Sequence, residues 1–75
     1  MSKINQRSFN LIIGKTFREY REKSSMTRSA LALKSEVNEK YLGKIERGEC
    51  SASSFILKKI ANSLNTKLSI ILKDL

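Results

Sequence analysis

The sequence predicts an all-α fold, a compact five-helix domain, from three observations. There is no proline and glycine occurs only at Gly14, Gly43 and Gly48, so little interrupts a helical backbone. The apolar residues recur at steps of three and four, the period of one helix face, without the alternation of a strand. Finally, 75 residues hold one domain. A chain this short buries only about 60% of the surface it exposes when unfolded, and a helical bundle is the economical way to do so.

The elements follow in order. Residues 1–8 are expected to form a flexible polar arm carrying Lys3 and Arg7, and the folded domain spans 9–75. In the first helix Phe9, Ile12, Ile13, Phe17 and Tyr20 share one face and Lys15, Arg18, Glu19 and Glu22 the other, with Ser24 and Ser25 ending it. Thr27 caps a second helix of about two turns, whose buried side is Ala30, Leu31 and Leu33 before Ser35 and Glu36 break the pattern.

Asn38 caps the third helix, and Val37 is spaced to staple onto Leu42, the fourth helical residue. Tyr41, Leu42 and Ile45 form its apolar stripe, Glu39, Lys40, Gly43, Lys44 and Arg47 its opposite face, and Gly48 its left-handed stop. After a capping loop over 51–54, Phe55, Ile56, Leu57, Ile60, Ala61 and Leu64 sustain the helical period up to Asn65. In a last segment, about 67–74, Leu68, Ile71, Leu72 and Leu75 recur at 0, 3, 4 and 7, with Ile70 left over.

Fifteen Lys and Arg against seven acids leave a formal charge of +8. This favours a polyanionic partner through counterion release and long-range attraction. Charge alone also fits RNA, anionic lipid or an acidic protein. A lone Cys50 and the absence of His exclude a disulfide within the chain and a Cys/His zinc cluster. No clustered carboxylates, nucleophile with its base or metal set is present, so neither catalysis nor a cofactor is expected. Without an apolar start or a run of about 20 apolar residues, a cytoplasmic protein that does not enter the membrane is expected.

The informative unit runs from Thr27 to Gly48: a short helix, a three-residue connection and a second helix, polar outside and apolar inside. With Ile13-Gly14, Phe17-Arg18, Arg21-Glu22, Met26-Thr27, Leu31-Ala32, Val37, Tyr41-Leu42, Ile45-Glu46-Arg47-Gly48, Leu57, Ile60-Ala61 and Leu64, it resembles the lambda-repressor-like helix-turn-helix family. That family includes phage Cro proteins and the xenobiotic-response-element regulators of bacteria and phage. Within it, Lys34-Ser35, Tyr41 and Ile45-Glu46-Arg47 look most like the controller proteins of restriction-modification systems.

The resemblance implies a DNA-binding transcription regulator, repressor or activator. It implies that Arg21 and Glu46 form a structural ion pair between the first and third helices. Thr27 and Arg28 match positions that bind phosphate, where free backbone N–H groups also favour an anion; Asn38 and Arg47 complete the expected phosphate contacts. Arg28 stands where relatives carry glutamine, which keeps a phosphate contact and adds charge. Glu39, Lys40, Gly43 and Lys44 match positions that face base edges, and helical spacing puts all four on the outer side. Lys40 and Lys44 suit guanine O6 and N7, and Glu39 suits cytosine N4 or else pairs with a lysine. Gly43, costly inside a helix, reflects either close approach to DNA or replacement of a small serine. Glu36 replaces the usual glycine of the connection, at a cost of roughly 1 to 2 kcal/mol if the backbone there is left-handed.

One such helix contacts few base pairs, so relatives bind as homodimers on palindromic half-sites about one DNA turn apart. The surplus apolar residues of the last segment divide between core and interface, with Ile70, Ile71 and Leu75 as interface candidates. The rival readings are an antitoxin or Cro-like repressor of the same fold with a protein partner, and a basic amphipathic C-terminus lying on a membrane.

Overall fold

A computed structural model of the protein describes residues 4–73 and 75. Its elements are α1 (Gln6–Lys23), α2 (Arg28–Ser35), α3 (Glu39–Glu46), α4 (Ser54–Ser63) and α5 (Leu68–Ile71), and the described residues contain no strand. No helix is long and apolar enough to cross a membrane.

Side-chain caps start four of the helices. The oxygens of Asn5, Thr27, Asn38 and Ser53 accept the backbone N–H three residues on, from Ser8 (2.8 Å), Ala30 (3.0 Å), Tyr41 (3.1 Å) and Ile56 (3.2 Å). Each such cap contributes about 1 kcal/mol. The Asn5 cap explains why α1 starts at Gln6 and not at Phe9. Arg7 therefore lies on its first turn rather than on a loose arm, while Lys3 falls outside the described residues. The last helix has no side-chain cap and is a single turn, much shorter than the segment expected over 67–74.

The core is one cluster to which every helix contributes. Phe17, Leu31, Leu42 and Ile60 are fully buried, joined by Ile13, Ile45, Leu57, Ala61, Leu64 and Ile71. Burying such a side chain contributes about 1.5–3 kcal/mol. Of the residues assigned inward by periodicity, Ile12, Ala30, Leu33 (83% exposed) and Phe55 (67% exposed) lie outside. Phe55 is in the first turn of α4, where the apolar stripe is read from too few residues to orient it; Ile12 lies beside buried Ile13 in the second turn of α1, outside the core; and α2 is short enough for its core to be Leu31 and Ala32 alone. Lys59 links α4 to the end of α2. Its ammonium lies 5.4 Å from the Phe55 ring centroid and donates to the Glu36 carbonyl at 3.4 Å.

In α5 the split is also clear. Ile71 is core, 5% exposed, so its assignment to an interface is corrected; Ile70 is 44% exposed. Leu75 is half-buried and, with Ile4, Asn5, Gln6 and Phe9, walls an open groove of about 340 Å³ beside the start of α1. Burial of Ile71 follows from α5 being one turn pressed on α4 and α1: only one of two adjacent isoleucines can face inward.

Three backbone features position α3. Glu36, in the α2–α3 connection, is left-handed (φ 58°, ψ 41°), so the strain expected of a non-glycine residue is present. Tightest of all is the crossing of α1 and α3. A Cβ at Gly14 would collide with the Ile45 carbonyl oxygen and lie 2.7 Å from that of Glu46, so only glycine lets the two backbones meet. At the far end of α3, Gly48 has φ 72° and its Cα faces Leu11 of α1.

Gly14→Ala is therefore expected to destabilise the fold by about 2–3 kcal/mol, the upper range for overpacking. Urea unfolding followed by circular dichroism checks this; an unchanged midpoint would mean that α1 and α3 do not meet as described.

Candidate nucleic-acid interface

Helix α3 shows one face to α1 and the other to solvent, and a charged clamp fixes its rotation. Arg21 donates from Nε to Glu46 Oε2 at 2.7 Å and from Nη2 to Oε1 at 3.0 Å, while Nη1 donates to the Met26 carbonyl at 3.0 Å. The Glu46 side chain is 2% exposed and that of Arg21 12%. This bidentate pairing raises the Arg21 guanidinium above its ordinary range, chiefly through the hydrogen bonds to Glu46. A raised folded-state value adds stability that is complete below the ordinary arginine range and lost only above it, so Arg21 stays charged throughout the working pH range.

On the outer side, Glu39, Lys40 and Lys44 are exposed. Glu39 forms no ion pair with either lysine: among the described residues the ion pairs are Arg18–Glu22, Arg21–Glu46 and Arg47–Glu49. Arg28 at the start of α2 and Asn38 at the start of α3 line one cleft with Glu39 and Lys40. Thr27 Oγ1 and Asn38 Oδ1 are used as acceptors in their caps, which leaves the hydroxyl proton of Thr27 and the amide protons of Asn38 to donate outward.

Gly43 lies on the outer side of α3, as its helical spacing requires, but it is not exposed. It is buried beneath two arginines: a Cβ there would lie 3.1 Å from Arg47 Nη1 and 3.4 Å from Arg28 Nε. The direct base contact assigned to Gly43 is corrected accordingly, since long side chains from a neighbouring helix and from the next turn fill the space a small residue leaves. Arg28, Asn38, Glu39, Lys40, Gly43 and Arg47 together line one open cleft of about 440 Å³. Lys44 and Thr27 do not line it.

Arg47 also makes a fork with Glu49, Nε to Oε2 at 2.8 Å and Nη2 to Oε1 at 3.3 Å. The hydrogen bonds raise Arg47 above and hold Glu49 below their usual ranges. Both side chains are about half exposed, so solvent screens the pair and an incoming anion can exchange with the carboxylate.

Residues not assigned to the interface from the sequence support the face from behind. Tyr41 Oη donates to the Ser51 carbonyl at 3.2 Å, and Asn10 Nδ2 donates to Ser51 Oγ at 3.2 Å, tying the α3–α4 loop to α3 and α1. Gly14 was legible in principle, as a lone glycine inside an amphipathic helix. Glu49 carried no such signal. Among the described residues no group of three His, Cys, Asp or Glu side chains is placed to hold a metal ion.

The profile of a helix-turn-helix family, HTH_3, matches residues 17–71. No curated protein sequence matches the chain. Among solved structures, the restriction-modification controller protein C.AhdI from Aeromonas hydrophila is similar at 25% identity and a TM-score of 0.83, over 87% of this chain and 98% of that one. The clp gene regulator ClgR from Corynebacterium glutamicum is 28% identical with a TM-score of 0.83, over 87% and 69%. An HTH_3 family transcriptional regulator from Vibrio cholerae is 28% identical with a TM-score of 0.86, covering 93% of this chain but 39% of that longer one.

The clamp predicts an asymmetric mutational response. Arg21→Met leaves the Glu46 carboxylate buried and unpaired and is expected to cost about 3 kcal/mol, whereas Arg21→Met with Glu46→Leu removes both charges and recovers most of that loss. Thermal unfolding of the two variants checks this, and equal losses in both would contradict it.

Proposed function

The chain belongs to the helix-turn-helix family HTH_3 and is a DNA-binding transcription regulator; from that premise we propose that it binds a palindromic operator, sequence-specifically, as a homodimer. The observation that carries this reading is the outer face of α3, where Lys40 and Lys44, in no ion pair among the described residues, are exposed on a helix whose rotation the Arg21–Glu46 clamp fixes. In this reading Lys40 and Lys44 donate to guanine edges and Glu39 accepts from cytosine N4. Thr27, Asn38 and Arg47 hold phosphates at the rims of the groove.

A second copy is needed for useful specificity, because one recognition helix spans few base pairs. Exposed Ile70 and half-buried Leu75 are the apolar residues of the C-terminal segment left to meet it. The specific role we favour is that of a restriction-modification controller. Likeness to the Aeromonas controller, over 87% of this chain and 98% of that one, supports it.

Selection of bound sites from random duplex DNA tests the reading: a palindromic consensus supports it, and the absence of any consensus overturns it. Lys44→Ala is expected to change which bases are selected. By contrast, Arg47→Ala is expected to weaken binding to all sequences alike and to lower the slope of log affinity against log salt by about 1. Fluorescence anisotropy across a salt series measures both.

A further inference from the structure

By family resemblance Arg28 is expected to hold a phosphate at the rim of the groove, and Gly43 to lie against the bases. The geometry joins the two positions. Arg28 begins α2, yet its guanidinium lies across the middle of α3, with Nε 3.4 Å and Cζ 3.5 Å from where a Gly43 Cβ would be. We propose that Arg28 is a specificity-determining residue: it reads a guanine from α2, through the place on the α3 face that Gly43 leaves open. This rests on the DNA-binding reading above and assigns one more reader to the same surface.

Three features support base reading over phosphate binding. The first is position along α3. The phosphate donors Asn38 and Arg47 stand at its two ends, the N-cap and C-cap, and Gly43 lies between them among Glu39, Lys40 and Lys44, the residues that face the groove floor. The second is the orientation of the fork. Arg28 Nε is shielded from solvent without a hydrogen-bond partner, which leaves the terminal Nη1 and Nη2 pair as the accessible end, the two parallel donors that guanine O6 and N7 accept. The third is availability, since none of the ion pairs among the described residues uses Arg28.

Lysine is the discriminating substitution at this position, because it keeps the positive charge that a phosphate needs but is one bond shorter and lacks the two parallel Nη donors with which Arg28 would reach a guanine from α2. Bound-site selection is run in parallel on the parent protein, Arg28→Lys and Gly43→Leu, with circular dichroism confirming that each is folded. In the second variant the introduced leucine side chain would take the guanidinium's seat while leaving Arg28 in the chain. The expected result is loss in both variants of one guanine column in each half-site, with the other columns retained. In direct binding, a discrimination of roughly 5- to 150-fold at that base pair falls to near unity for Arg28→Lys while its salt slope stays at the parent value.

If the parent selects a consensus and Arg28→Lys selects the same guanines with undiminished preference, Arg28 is a phosphate contact. The inference is then overturned and the DNA-binding reading stands. If the parent itself selects no consensus, the sequence-specific reading fails and this inference with it.

Discussion

The structure depends on how closely α1 approaches α3. A recognition surface on a two-turn helix has few contacts of its own to hold it still, and α3 is only eight residues long. Its stability is borrowed from α1, the one long helix, at three points: backbone against backbone at Gly14, the buried Arg21–Glu46 fork, and Leu11 against Gly48. The first sets the distance between the helices and the second sets the rotation of α3 about its axis. A buried ion pair adds little net stability relative to apolar residues of the same size, but breaking one half of it is costly. That asymmetry suits a contact whose work is to exclude other rotations of α3 rather than to add to the core.

Charge is divided along the same line. The acid nearest the core, Glu46, is fully engaged by α1, whereas Lys40 and Lys44 on the opposite side have no partner among the described residues. The net charge of +8 draws any polyanion to the molecule, but attraction alone does not orient it. Orientation comes from α3 being locked so that its unpaired cations, the donors at the starts of α2 and α3, and the arginines over Gly43 share one side. Glu49 occupies the Arg47 fork in the free protein, and on the proposed reading a DNA phosphate takes its place.

Much of this was legible in the sequence, and the exceptions have physical reasons. The caps at Thr27 and Asn38, and the capping loop over 51–54, could be read because a small polar residue before an apolar period has one efficient use at that position. Arg21 and Glu46 were readable as a pair only through the resemblance to a known family, since residues 25 apart show no spacing signal. Long-range packing was not readable. Helical period placed Gly43 outward, but period says nothing about a side chain arriving from α2 to cover it, and it gave no account of what Gly14 touches. The period separated Ile71, on the apolar stripe, from Ile70, left over from it; Ile71 was still offered to an interface because the stripe exceeded what a small core was expected to need, and the single turn packed on α4 and α1 buries it. The start of α1 was misplaced because residues 4–8 are polar at all but one position, and Asn5 reads as a cap only once the helix beyond it is known.

The central claim is that α3 is held rigidly by α1 with its cationic side, and no other surface, presented to DNA. Amide chemical shifts recorded during titration with a duplex carrying the selected site test it most directly. The largest changes are expected at Thr27, Arg28 and residues 38–47, with the Arg21 Nε–H signal remaining at its free-state position because its bond to Glu46 persists in the complex. Changes centred instead on the basic residues of α4 and the C-terminal segment, Lys58, Lys67 and Lys73, with α3 unmoved, would contradict it.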